Sequence, residues 1–208
     1  AFIFWLYDKI FNSYFGASFY HSFTYIFLMR ITKVTTKTGD KGMTRLGTNE
    51  IVSKSSLEMH VLGELDELSS VLGMVKVAGQ TEELKSNIEN IQNDLFNIGG
   101  EVALGNSGDE LLKEDRIDIL EKEIENINEK LPPLKEFLLP GENELSSKIH
   151  HARSVCRRAE RSLVALMEKK SYRHIWIQYL NRLSDYLFVL ARQSGKGEGQ
   201  SERMWKRK

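Results

Sequence analysis

All three prolines of this chain fall inside one short connector, L-P-P-L-K-E-F-L-L-P-G, from Leu131 to Gly141. Proline ends or kinks a helix because it has no N–H to donate and its ring clashes with the preceding turn. The rest of the 208 residues is therefore free to be helical, and hydrophobic spacing says where. Leu57, Val61, Leu65, Leu68, Leu72 and Val75 step by fours and threes. Leu84, Ile88, Ile91, Leu95, Ile98 and Val102 do the same, as do Ile117, Leu120, Ile124, Ile127 and Leu131. After the connector come Leu145, Ile149, Ala152, Cys156, Ala159, Leu163 and Leu166, then Trp176, Leu180, Leu183, Leu187 and Leu190. Each set is one apolar stripe at 3.6 residues per turn. Five long amphipathic helices predict an all-α, five-helix up-and-down bundle.

Two ends lie outside that pattern. Residues 1–28 hold ten aromatics between Phe2 and Phe23, with Asp8 and Lys9 as their only formal charges. Asp8, Lys9, Asn12, Ser13 and His21 interrupt any membrane span, which needs about 20 largely apolar residues. The stretch is also poorer in Arg and Ser than a transit peptide, and Met29 followed by R-I-T-K reads as a natural start. We therefore expect an extension over 1–28, a helical domain over 29–193 and a mobile glycine-rich tail over 194–208. Met29 to Ser55 is rich in Thr, Lys and Gly without helical period, and reads as a loop with at most a short extended stretch.

With 29 basic and 29 acidic side chains the net charge is zero. No overall field draws the protein to nucleic acid or to an acidic membrane, so any anion site must be local. Cys156 is the single cysteine and falls on an apolar stripe, which suits a packed thiol in a reducing compartment. The sequence contains no H-x-x-x-H pair, no G-x-S-x-G and no G-x-G-x-x-G, so zinc, elbow-hydrolase and dinucleotide chemistries have no motif here.

Local candidates remain. In H-A-R-S-V-C-R-R-A-E-R, from His151 to Arg161, the residues Arg153, Arg157, Glu160 and Arg161 line up beside the stripe of Ala152, Cys156, Ala159 and Leu163. Arginines at a core margin can grip an anion bidentately where water is scarce. Taken alone the row reads more simply as a solvated face with i,i+3 and i,i+4 ion pairs. The loop from Thr35 to Arg45 gathers Lys37, Lys41 and Arg45 with Gly39 and Gly42. Such a loop can wrap phosphates with backbone N–H groups, but it is no Walker motif, and on spacing alone a plain surface loop is the simpler reading. Asp66 and Glu67, in L-G-E-L-D-E-L-S-S, are either solvated helix acids or partners for an arginine such as Arg153, within the chain or across a subunit boundary. Phe137 is either a plug on the core or a pocket contact.

Taken together and in order, T-K-T-G-D-K-G-M-T, G-E-L-D-E-L-S-S, F-L-L-P-G, R-S-V-C-R-R-A-E-R and N-R-L-S-D-Y-L-F resemble the ATP:cob(I)alamin adenosyltransferases of the propanediol-utilisation type, over roughly residues 30 to 193. The resemblance implies a homotrimer with ATP, Mg2+ and cobalamin bound at subunit interfaces. The reaction it implies is transfer of the 5′-deoxyadenosyl group to cobalt with release of triphosphate. It carries a nucleotide-binding loop onto Thr36, Lys37, Thr38, Gly39, Asp40, Lys41, Gly42 and Thr44, and a further phosphate lysine onto Lys54. Helix-borne ATP contacts fall on Arg157, Arg158, Glu160, Arg161 and Asn181. The interfacial ion pair falls on Asp66 with Arg153, the aromatic below the corrin on Phe137, and a second pocket aromatic on Phe188. No metal ligand is implied among the side chains. Implied partners are a flavin-dependent reductase and an adenosylcobalamin-dependent enzyme, with no nucleic acid and no membrane. The compartment would be the cytoplasm, or the mitochondrial matrix if the extension is a transit segment. Two positions depart from the family pattern: Glu142 stands where a second glycine is common, and Ser69 with Ser70 where Asn-Ser is frequent. The competing reading is a carrier that binds ATP or adenosylcobalamin and delivers it to a mutase. It is disfavoured by the absence of a cobalt-ligating D-x-H-x-x-G string. A purely structural bundle would leave the Lys- and Gly-rich loop without a purpose.

Overall fold

The computed structural model describes residues 35, 37–105, 110–196 and 202–206. A small hairpin, β1 (Met43–Arg45) and β2 (Ile51–Ser53), precedes five helices: α1 (Leu57–Ala78), α2 (Glu82–Leu104), α3 (Asp115–Asn128), α4 (Glu144–Met167) and α5 (Ile175–Gly195). The five stripes read from the sequence all fall on these helices, except that Leu131 lies beyond the end of α3. Three helices begin where a polar side chain takes one of the free N–H groups of the first turn. Ser56 accepts from Met59 N, Thr81 from Leu84 N and Asn143 from Ser146 N.

α4 runs antiparallel to both α1 and α5, as the cross-links between them show. Lys170, just past α4, pairs with Glu58 at the start of α1, while Arg158 of α4 reaches Glu67 further along α1. Cys156 Sγ donates to Leu180 O, and Asn143 Nδ2 to Ser194 O, joining opposite ends of α4 and α5. The core runs along α4, which packs against both α1 and α5. Ala152, Cys156, Ala159 and Leu163 are fully buried there, facing Leu180, Leu183 and Leu187. The small residues at 152, 156 and 159 share this buried interior with the large side chains of Trp176, Tyr179 and Tyr186 on α5.

Two acids on α2 are buried and fully engaged. Asp94 accepts from Tyr179 Oη at 2.6 Å and from Arg116 at 2.9 Å, fastening α2 to α5 and α3. Glu101 accepts from Trp176 Nε1 and Arg173 Nη1, both at 2.8 Å, and from Leu112 N at 2.6 Å. Buried carboxylates are tolerable only when paired in this way.

The region expected to be mostly loop contains an antiparallel pair, with Thr44 opposite Val52. Its inner residues Leu46 and Val52 are buried against the bundle. Gly47 lies against the end of α2, where an added Cβ would come within 3.1 Å of Ala103 O. The tail, expected to be mobile on its glycines, pairs with the connector within residues 202–206, where Leu138 bridges Met204; residues 197–201 lie outside the described residues. The reason is that the pairing is made by backbone groups and one distant ion pair, neither of which composition reveals. Residues 1–28 and Thr36 lie outside the described residues.

Candidate active site

Gly42 N donates to Gly39 O in the basic loop, and Lys54 N to Gly42 O at 2.8 Å, so the loop is folded back on the residue after β2. Gly42 has φ +76° and Lys37 φ 61°, both left-handed, a conformation that glycine adopts without strain. Gly39 is close to Lys54, whose Nζ lies 2.9 Å from where a Cβ would stand. The loop thus brings Lys54 alongside Gly39, with Lys37, Asp40, Lys41 and Gly42 exposed around them and Thr44 half-buried.

A second group lies on α4 and α5. The Arg153 guanidinium carbon is 5.1 Å from the centre of the Phe188 ring, and His150 meets the same ring edge-on at 6.4 Å. Asn181 Nδ2 donates to Glu160 at 3.2 Å, and Arg161 Nη1 to Arg157 O at 3.0 Å. Burial, ahead of the charge on Arg157, draws the Arg153 guanidinium below its ordinary pKa; it remains a cation at neutral pH. Burial likewise pushes the Cys156 thiol far up, so it is a packing group and no nucleophile.

The arginines separate into two kinds. Arg45, Arg116, Arg158, Arg161, Arg173, Arg182, Arg192 and Arg203 each donate to a carboxylate or a carbonyl. Arg153 and Arg157 alone among the described arginines do neither, and the Nε of Arg153 is buried without a partner. Arg158, by contrast, is held by Glu67 and lies 3.8 Å from Glu64. Its pKa is raised, chiefly by the hydrogen bond to Glu67.

Not every expected partner meets within one chain. Asp66 is exposed on α1 and has no side-chain partner among the described residues, so it does not pair with Arg153 here. No hydrogen bond or ion pair joins the basic loop to the α4 row among the described residues. Phe137 is 80% exposed, on a connector whose backbone is paired with the tail. Glu142, the departure from the glycine pattern, accepts from Ser146 Oγ at 3.0 Å and packs against Gly195, closing the start of α4 onto the end of α5.

Sequence reasoning missed His150, Arg192 and Glu202. The signal for His150 and Arg192 was spacing: the first lies three residues before Arg153 and the second four after Phe188. Nothing local marks Glu202. Among the described residues no group of His, Cys, Asp and Glu could hold a metal ion, and no helix is long and apolar enough to cross a membrane.

A helical bundle with two unpartnered arginines, one of them against an aromatic ring, and a separate basic loop define a helical protein with donors to offer an anionic ligand. Residues 34–194 match the family model described as cobalamin adenosyltransferase, and the chain belongs to that family. It is 41% identical over 179 residues to a cobalamin adenosyltransferase of Cupriavidus metallidurans, covering 86% of this chain and 96% of the relative. It is 40% identical over 180 residues to a corrinoid adenosyltransferase of Bacillus subtilis, covering 82% and 93%. Among solved structures it is similar to a variant PduO-type ATP:corrinoid adenosyltransferase from Lactobacillus reuteri complexed with cobalamin and ATP. There the TM-score is 0.78 at 36% identity, covering 84% of this chain and all of that one.

Proposed function

We propose that this chain transfers the 5′-deoxyadenosyl group of ATP to the cobalt of cob(I)alamin, and does so at sites shared between copies of itself. The observation that carries the reading is the pair Arg153 and Arg157. In a chain whose other described arginines are all engaged, these two leave guanidinium donors free, Arg153 half-buried beside Phe188 and Arg157 exposed one turn further along α4. An unpaired guanidinium at a half-dry margin, as that of Arg153 is, is costly unless an anion arrives to use it.

Cob(I)alamin is itself a strong nucleophile. Its cobalt electron pair forms the bond to C5′ while the C5′–O bond breaks and that pair leaves on triphosphate. No proton moves at the reacting atoms, so the protein needs neither a general base nor a triad. What remains is placement and stabilisation of the leaving charge. Lys37, Lys54, Arg157 and Arg161 would hold the triphosphate. Backbone N–H groups from Thr36 to Thr44 would wrap it, and Glu160 with Asn181 would meet the nucleoside end. Mg2+ would arrive with the triphosphate oxygens, its natural ligands, since among the described residues no side-chain group could hold it.

The separation of loop and arginine row within one chain supports a trimer in which the loop of one copy faces α4 of the next. The unpartnered Asp66 and Arg153 would then close across the boundary. Phe137 would lie against the lower corrin face and exclude an axial ligand, which eases formation of four-coordinate cobalt. Arg158 is better placed as a strut to α1 than as an ATP contact, because Glu67 already engages it.

The test is an anaerobic optical assay with ATP, Mg2+ and chemically reduced cob(I)alamin. Light-sensitive adenosylcobalamin formed in step with triphosphate is expected. Binding of nucleotide and corrin without turnover would overturn the transferase in favour of a carrier.

A further inference from the structure

Arg192, in the last turn of α5, is buried to 5% exposure. Its Nε donates to Glu202 Oε1 at 2.7 Å, its Nη2 to Glu202 Oε2 at 3.2 Å and to Pro132 O at 2.7 Å. One guanidinium thus ties together the end of α5, the first proline of the connector and the tail. It also lies 6.0 Å from the Phe188 ring centre, on the ring that Arg153 approaches at 5.1 Å.

Immediately after Glu202 the tail pairs with the connector. Leu139 N donates to Arg203 O at 2.8 Å and Trp205 N to Phe137 O at 2.7 Å, while Arg203 Nη2 donates to Gly141 O at 2.9 Å. The Phe137 side chain is therefore exposed but its backbone is fixed, and what fixes it is the tail. Two isolated ladder bonds in an open two-stranded ribbon are marginal in water. The buried ion pair beside them is the anchor that keeps the ribbon docked, because an unpaired charge at that depth is strongly unfavourable.

We propose that Arg192 and Glu202 form a latch that positions the connector, and with it Phe137, for the corrin substrate. Arg192 is a positioning residue: it acts on the corrin side through the tail and leaves the ATP side untouched. The inference rests on the reading of Phe137 as the aromatic below the corrin, and its test separates the two.

Glu202→Gln keeps the shape of the side chain and removes the charge. Hydrogen–deuterium exchange of the full chain should show the Leu139 and Trp205 amides losing about tenfold or more of their protection, with the amides of Cys156 and Leu180 unchanged. The corrin KM should rise several-fold while the ATP KM stays within about twofold. Arg192→Lys, which keeps the charge pair, should retain part of the protection. Undiminished protection at Leu139 in Glu202→Gln, or corrin and ATP constants moving together, would overturn the latch. Phe137→Ala run alongside decides the aromatic's role by corrin kinetics, while exchange decides the latch, so failure of one is distinguishable from failure of the other.

Discussion

The guanidinium of Arg153 lies over the ring of Phe188 at 5.1 Å and makes no ion pair or hydrogen bond with a carboxylate among the described residues. A cation held by a ring face is stabilised modestly and keeps most of its hydrogen-bonding capacity for something else. Removing it should therefore affect function far more than folding. For Arg153→Ala we expect a stability loss of about 1 kcal/mol or less from the lost ring contact, against a fall in kcat/KM of about tenfold or more. Urea unfolding and steady-state kinetics on one preparation check this, and a stability loss that accounts for the whole activity loss would refute it.

Arg157 is exposed, with no partner among the described residues for its guanidinium, so Arg157→Ala removes no internal contact that the structure shows. Its contribution should appear in nucleotide binding, at about 1.5 to 3 kcal/mol for a charge-assisted hydrogen bond. Calorimetric titration with ATP and Mg2+ is the measurement. An ATP affinity equal to that of the parent protein would remove Arg157 from the site.

Phe137 exposes 80% of its surface, so Phe137→Ala should leave the unfolding midpoint where it is. Formation of the cobalt–carbon bond should slow, and ATP affinity should stay nearly intact. Single-turnover optical spectroscopy resolves the two, and a variant that loses ATP affinity but turns over supplied cob(I)alamin normally would contradict the assignment.

The bundle was legible because each helix writes its buried face into periodic spacing. Ala152, Cys156, Ala159 and Leu163 were readable as one stripe and are all fully buried. The arginine row beside them was equally readable, but which arginines are free was not. Arg158 differs from Arg157 only by a rotation of about 100° on the helix, and that rotation delivers it to Glu67 of α1. The hairpin escaped because strands of three residues are too short to show alternation. The tail's pairing escaped because it is made by backbone groups and by an ion pair between residues ten apart. Asp94 and Glu101 did leave a trace: they are seven residues apart, each directly next to a stripe residue of α2, Leu95 or Val102.

Those two acids carry a stability prediction. Asp94→Ala strips the partner from Arg116 and from the buried Tyr179 hydroxyl at once. Breaking a buried pair by deleting one member typically costs about 3 to 5 kcal/mol. Urea denaturation should show a loss of that order, and Tyr179→Phe in the Asp94→Ala background should cost less than it does in the parent because the two changes share a bond. Additive losses would indicate that the Asp94–Tyr179 contact contributes nothing of its own.

His150 supplies the pH dependence. It is buried against Phe188 with Nε2 unpartnered, and burial holds its pKa below the ordinary histidine value. Glu142 opposes that shift and Arg153 adds to it, both less strongly than burial. A depressed pKa means that the folded state binds fewer protons than the unfolded chain. Its contribution to stability is present above the unfolded value of about 6.5 and is lost as pH falls from there toward the folded value. His150→Phe keeps an aromatic against Phe188 and removes the titration. The difference in unfolding free energy between parent and variant should shift toward the variant as pH falls from about 7.5 to about 5.5. Urea unfolding at both pH values decides it, and parallel pH curves for the two proteins would mean that His150 titrates alike in the folded and unfolded chain.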